Sequence, residues 1–79
     1  MGNIIVPARF QAQIFFGDSI VAESEPFDLM QDALRKLRNP NWWPGEFTVG
    51  EIQRCIFVVV DQATGDCSTY SFNEIFTHE

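Results

Sequence analysis

Between Phe10 and Phe16 every second residue is apolar: Phe10, Ala12, Ile14 and Phe16 fall on one face and Gln11, Gln13 and Phe15 on the other. A period of two is that of a half-buried strand, because successive side chains of extended backbone point to opposite faces. Gly17-Asp18 follows at once. Glycine at the first central position of a two-residue loop suits a type II′ turn, so the spacing predicts a hairpin in which Ser19-Ile20-Val21-Ala22 returns antiparallel to Arg9–Phe16. The rest of the chain has to be arranged around this hairpin.

After it, Pro26 disfavours helical dihedrals at Glu25, and Asp28-Leu29-Met30-Gln31 has the spacing of an N-cap carboxylate with a glutamine three residues on. The helix predicted from there places Leu29, Ala33 and Leu37 on one stripe beside Met30 and Leu34, and turns Gln31, Asp32, Arg35 and Lys36 outward. Acids at its start and Arg35, Lys36 and Arg38 at its end complement the helix dipole, and Asn39-Pro40 stops it. The segment from Asn39 to Gly45, with two prolines and the adjacent Trp42 and Trp43, reads as an ordered connector. Glu46–Val49 is expected as a short strand broken at Gly50, followed by Glu51–Val60. The run Cys55 to Val60 is apolar on both faces, the pattern of a central strand covered on both sides. Asp61–Asp66 is a loop of turn formers, Cys67–Phe72 pairs back, and Ser71-Phe72-Asn73-Glu74 opens a last helical turn carrying Ile75 and Phe76. The expected architecture is α+β: an antiparallel sheet of four or five strands with one helix packed on a face, in the order ββαβ(β)β.

The 79 residues are expected to form a single compact domain, since a fold of this size supports one core. Apolar residues make up 46% of the chain, with eight Phe and two Trp, which argues against disorder. The longest apolar run is six residues against the ~20 of a spanning helix. The start, Met1 to Pro7, has neither a basic region nor an apolar stretch long enough for a signal peptide, and Val6 stands where a myristoylation signal needs Ser or Thr. A cytoplasmic protein is the expectation. Cys55 and Cys67 fall about five residues apart along the predicted last hairpin, roughly 17 Å, too far to bridge, so both are expected as free thiols.

Chemistry-bearing motifs are not found: there is no nucleophile with a base, no ligand spacing and no phosphate loop. His78 is the penultimate residue and reads as solvated. Glu23 and Glu25 share a strand face at its end, and Asp61 with Asp66 is explained by turn chemistry. No enzyme, metal site or cofactor is therefore predicted. The basic cluster Arg35, Lys36 and Arg38 coincides with a helix end, where dipole compensation accounts for it, so direct nucleic-acid binding is not expected.

What stands out is charge. The net charge is −6, and from Phe10 to Leu34 the chain holds Asp18, Glu23, Glu25, Asp28 and Asp32 with no lysine or arginine. Such a field favours encounter with basic surfaces and disfavours nucleic acid and anionic lipid. These five carboxylates are candidates to imitate a phosphate array, with Trp42 and Trp43 as candidate contacts because exposed tryptophan is frequent among interface hot spots. With this size, this acidic stretch and no catalytic chemistry, the chain resembles small phage-encoded inhibitors, notably anti-CRISPR proteins. That resemblance implies a non-enzymatic module that recognises a basic protein surface and blocks a DNA- or RNA-binding site. The alternative expectation is an assembly subunit that dimerises through Phe15 with Ile20, through Trp42 and Trp43, or by extending the sheet at an open edge.

Overall fold

A computed structural model describes residues 8–77. The readings made on Met1–Pro7 and on His78 lie outside the described residues. The elements run β1 (Phe10–Phe16), β2 (Ser19–Phe27), α1 (Met30–Leu37), α2 (Val49–Gln53), β3 (Ile56–Asp61), β4 (Asp66–Tyr70) and α3 (Phe72–Thr77). The strands form one antiparallel sheet in the order β2-β1-β3-β4. The α+β class with an antiparallel sheet is as the sequence predicts. Among the described residues the sheet has four strands, and three short helices form where one helix and a last helical turn were expected.

The first hairpin turns where the glycine allows it. Phe16 pairs with Ser19 across Gly17-Asp18, and Gly17 has φ +64° while no non-glycine described residue has positive φ, as a type II′ turn requires. Gly65, at φ +83°, ends the longer loop of the second hairpin, where its N–H reaches the Asp61 carbonyl at 2.7 Å. There Val60 pairs with Cys67 on either side of the expected loop, and the ladder extends one step into it, to Asp61 with Asp66.

β2 runs five residues beyond the predicted return strand, through Pro26 to Phe27 opposite Phe10. Pro26 is tolerated because β2 is an edge strand, with one side unpaired among the described residues. Keeping register over that length takes two irregularities, one between the pairs Gln11/Pro26 and Gln13/Glu23 and one between Ile14/Ala22 and Phe15/Ile20. At the first, Ser24 is buried and its hydroxyl takes over a ladder role. Ser24 Oγ accepts from the Ala12 N–H at 2.9 Å and donates to the Glu25 carbonyl at 2.7 Å.

The extension of β2 also moves the helix start. Leu29, extended at φ −118° and ψ 141°, is the N-cap of α1 and no side chain caps it, so the predicted Asp28/Gln31 box does not form. Leu29 is correspondingly exposed, whereas Ala33, Leu34 and Leu37 are buried as predicted. The expected strand Glu46–Val49 is absent. Thr48 instead opens α2 with a reciprocal cap: its Oγ1 accepts from the Glu51 N–H at 3.2 Å, and Glu51 Oε1 accepts from the Thr48 N–H at 2.8 Å. The strand expected from Glu51 therefore starts only at Ile56. The same device at Ser71 and Glu74 starts α3 where it was predicted, ending β4 at Tyr70.

The core lies on one side of the sheet. Ala12, Ile14, Phe57, Val59 and Tyr70 pack against Ala33, Leu34 and Leu37 of α1, Ile52 of α2 and Ile75 of α3, with Cys55 enclosed among them. By the alternation of the ladder the other side of β3 carries Ile56, Val58 and Val60, and these are outside that cluster. The expectation of a strand covered on both sides is thus corrected. Val58, between Gln13 and Thr69 in the ladder, is nevertheless buried, while Ile56 beside it is exposed. No helix among the described residues is long and apolar enough to cross a membrane.

Candidate functional site

The predicted acidic residues are sorted by the topology. Asp18 occupies the tip of the first hairpin, Glu23 and Glu25 lie along β2, and Asp28 follows its last residue, so four of the five carboxylates follow one edge strand of roughly 25–30 Å at ~3.3 Å per residue. All four are exposed. Among the described residues no lysine or arginine forms an ion pair with any of them. The neighbour that Glu23 does have is neutral: Gln13 Nε2 donates to Glu23 Oε2 at 2.9 Å. Glu23 and Glu25 are not the regular i, i+2 pair the sequence suggested, because the register shift and the inward-turned Ser24 fall between them. Asp32 stands apart from the row: it sits in the first turn of α1, where Arg35 Nη1 meets Asp32 Oδ1 at 3.2 Å.

The two tryptophans hold the connector in place. Trp43 Nε1 donates to the Leu37 carbonyl at 2.7 Å, closing the end of α1, and its ring lies 5.6 Å from Phe72, 6.3 Å from Phe76 and 6.5 Å from Phe57 between centroids. Trp42 is also half-buried against the core, with Lys36 Nζ 5.7 Å from its ring centroid. Both tryptophans are half-buried against the core, and the consecutive turns at Asn39 and Pro40, whose carbonyls accept from the Trp42 and Trp43 N–H groups, fold the connector back.

The remaining charged pair is structural. Arg9 Nε and Nη2 hold Asp61 Oδ1 and Oδ2 at 2.9 and 2.6 Å, a two-pronged bridge joining the start of β1 to the end of β3. The hydrogen bond from Arg9 keeps the Asp61 carboxyl below its usual range. Both cysteines are free, as the spacing predicted: Cys55 is buried and Cys67 exposed. Burial, with the nearby Glu51 charge, pushes the Cys55 thiol up.

One grouping was missed by the sequence reading. Arg35, Lys36 and Arg38, assigned there to the helix end, line an open cleft of about 660 Å³ together with Phe27, Asp32, Asn39 and Pro40. The signal available was the density of cations, three of the chain's five within four residues. What hid the cleft is that its apolar wall comes from Phe27, at the end of a strand predicted to stop at Ala22.

Comparison of the chain with protein-family models, with curated proteins and with solved structures finds no match.

Proposed function

We propose that this chain is a non-enzymatic binding module that engages a basic protein surface through the carboxylates along β2, acting as an inhibitor that mimics nucleic acid and occupies a DNA- or RNA-binding groove. The observation that carries this reading is the row Asp18, Glu23, Glu25 and Asp28 on one exposed edge strand, with no cation paired to it among the described residues. Four charges over such a length are sparser than the phosphates of a nucleic-acid strand, spaced ~3.4 Å along the axis. Recognition would therefore rest on the field of the row and on steering, not on a phosphate-by-phosphate copy. Free thiols at Cys55 and Cys67 support a reducing, cytoplasmic setting.

The test is simultaneous reversal, Glu23→Lys, Glu25→Lys and Asp28→Lys, all at exposed positions. The association rate with a captured basic partner should fall by about tenfold or more at low salt and lose most of its salt dependence. An unchanged rate and salt slope would reduce the acidic edge to a solubility device.

A second reading is self-association. It is favoured by the row Ile20, Phe15 and Ile56, which the ladder aligns on the helix-free side of the sheet and which leaves Ile20 50% and Ile56 41% exposed. Two copies stacked by a two-fold axis would bury the same row on each. Light scattering across concentration separates the two readings: a dimer indifferent to salt supports assembly, and a monomer supports the acidic edge.

A further inference from the structure

We infer that the cleft beside the last turn of α1, at the point where the acidic edge strand ends in Phe27, is a binding site for a small phosphorylated ring compound of mononucleotide size. Its lining sets three cations, Arg35, Lys36 and Arg38, against the single carboxylate of Asp32, in a chain whose net charge is −6. A local cationic concavity in an anionic body is where field lines concentrate for an anionic ligand.

The bland account of these cations is that they neutralise the carbonyl end of the helix. The structure gives that task largely to other groups. The Leu34 carbonyl accepts from the Arg38 main-chain N–H at 3.1 Å, Lys36 from the Asn39 N–H at 3.1 Å, and Leu37 from Trp43 Nε1 at 2.7 Å. Capping at those carbonyls therefore does not occupy the Arg35 and Lys36 side chains. Arg35 makes one contact of 3.2 Å to Asp32 with 71% of its side chain exposed, the kind of surface pair that contributes little. Lys36 Nζ is 5.7 Å from the Trp42 ring, near the outer limit for a cation over an aromatic face. A phosphate dianion offers both groups a stronger, charge-assisted partner.

Shape and chemistry narrow the ligand further. A volume of about 660 Å³ is far more than a free phosphate needs and falls within the ~300–1,000 Å³ of small-molecule sites. The rest of the wall is Phe27 and Pro40, two flat apolar surfaces on which a planar ring can lie, with the amide of Asn39, whose Oδ1 already accepts from the Asn41 N–H at 3.0 Å, as a neutral donor. Cations and flat apolar surfaces lining one cleft are complementary to a dianion joined to a ring.

The experiment is a titration of the folded chain with adenosine monophosphate, inorganic phosphate and adenosine separately, at low salt, followed by tryptophan fluorescence and by amide shifts around Arg35–Asn39. The nucleotide should give a saturable response with a midpoint at or below about 1 mM, weakening as salt is raised, and each fragment should bind at least about tenfold more weakly. Arg35→Gln with Lys36→Gln, both at partly or fully exposed side chains, should lower the nucleotide affinity by about tenfold or more while the circular dichroism is retained. The inference is overturned by the absence of saturation at about 10 mM nucleotide, well beyond the weakest affinity expected of it. It is equally overturned by a response that survives the double substitution, by shifts centred elsewhere, or by phosphate binding as tightly as the nucleotide, which would mark an adventitious ion only.

Discussion

Replacing Ser24 by alanine tests whether the irregular stretch of β2 is held by one hydroxyl. In the folded chain Ser24 Oγ accepts from the Ala12 N–H and donates to the Glu25 carbonyl, and both Ala12 and Ser24 are buried, at 0% and 6% exposure. Alanine removes both bonds and leaves the Ala12 N–H facing apolar surroundings that water cannot readily enter. An orphaned buried donor costs about 1–3 kcal/mol, and the second bond adds about 0.5–1 kcal/mol, so Ser24→Ala should destabilise by about 2–3 kcal/mol. For a domain of this length that is a fall in Tm of roughly 8–24 °C. Urea denaturation should show the loss as a shifted midpoint with unchanged slope, and the Ala12 amide should lose hydrogen-exchange protection while the Ile14 amide keeps it. Ser24→Thr, which retains a hydroxyl, should restore part of the loss. A change below about 0.5 kcal/mol, within the range of ordinary surface substitutions, would refute the assignment of Ser24 as the pin of the irregularity.

Three further outcomes follow from features of the fold. The Asp61 carboxyl is held below its usual range by Arg9, so the stability it contributes is fully present above the unfolded value of about pH 4 and is lost as pH falls through the folded value. The difference in urea midpoint between the native chain and Asp61→Asn should thus be constant above about pH 5 and shrink below about pH 4, and a difference independent of pH would contradict the bridge. Thr48→Ala should cost about 1 kcal/mol by removing the Oγ1 that accepts from the Glu51 N–H at the start of α2, measured by thermal denaturation, with Thr48→Ser close to native. Alkylation under native conditions should modify Cys67 within minutes and leave Cys55 protected until the chain unfolds; equal rates at the two, read by mass spectrometry, would contradict the burial of Cys55.

How much of this was legible follows from how local each signal is. The hairpin at Gly17 and the start of α3 at Ser71 are encoded within a few residues, and both form as read. The capping spacing at Thr48 and Glu51 is equally local, but Phe47-Thr48-Val49 also has strand composition, and the strand reading had no partner in the sheet to support it. Asp28 failed as a cap for a non-local reason: pairing of Phe10 with Phe27 keeps the chain extended past the point where the carboxylate could have served. The apolar run of β3 carries no alternation from which its two faces could be told apart, yet only Phe57 and Val59 join the core cluster while Ile56 is exposed. For the candidate site, the excess of carboxylates could be counted in the sequence, but that four of them share one edge depends on β2 being outermost, which strand order alone decides. That same order, with β1 paired to both β2 and β3, lets the Arg9–Asp61 bridge close the far side of β1.

Strand order also has a consequence for synthesis. β1 is made early yet sits in the middle of the sheet, and its second neighbour, β3, begins only at Ile56. At ~5–20 residues per second a ribosome needs roughly 2–8 s to get from the end of β1 to β3, whereas a hairpin closes in ~1–10 μs. The nascent β1–β2 pair therefore waits, for about a million times its own closing time, with one flank of β1 able to recruit any passing extended chain. On the other flank the kinked, proline-bearing, anionic β2 already discourages such recruitment, so the exposure during translation is one-sided and ends when β3 docks.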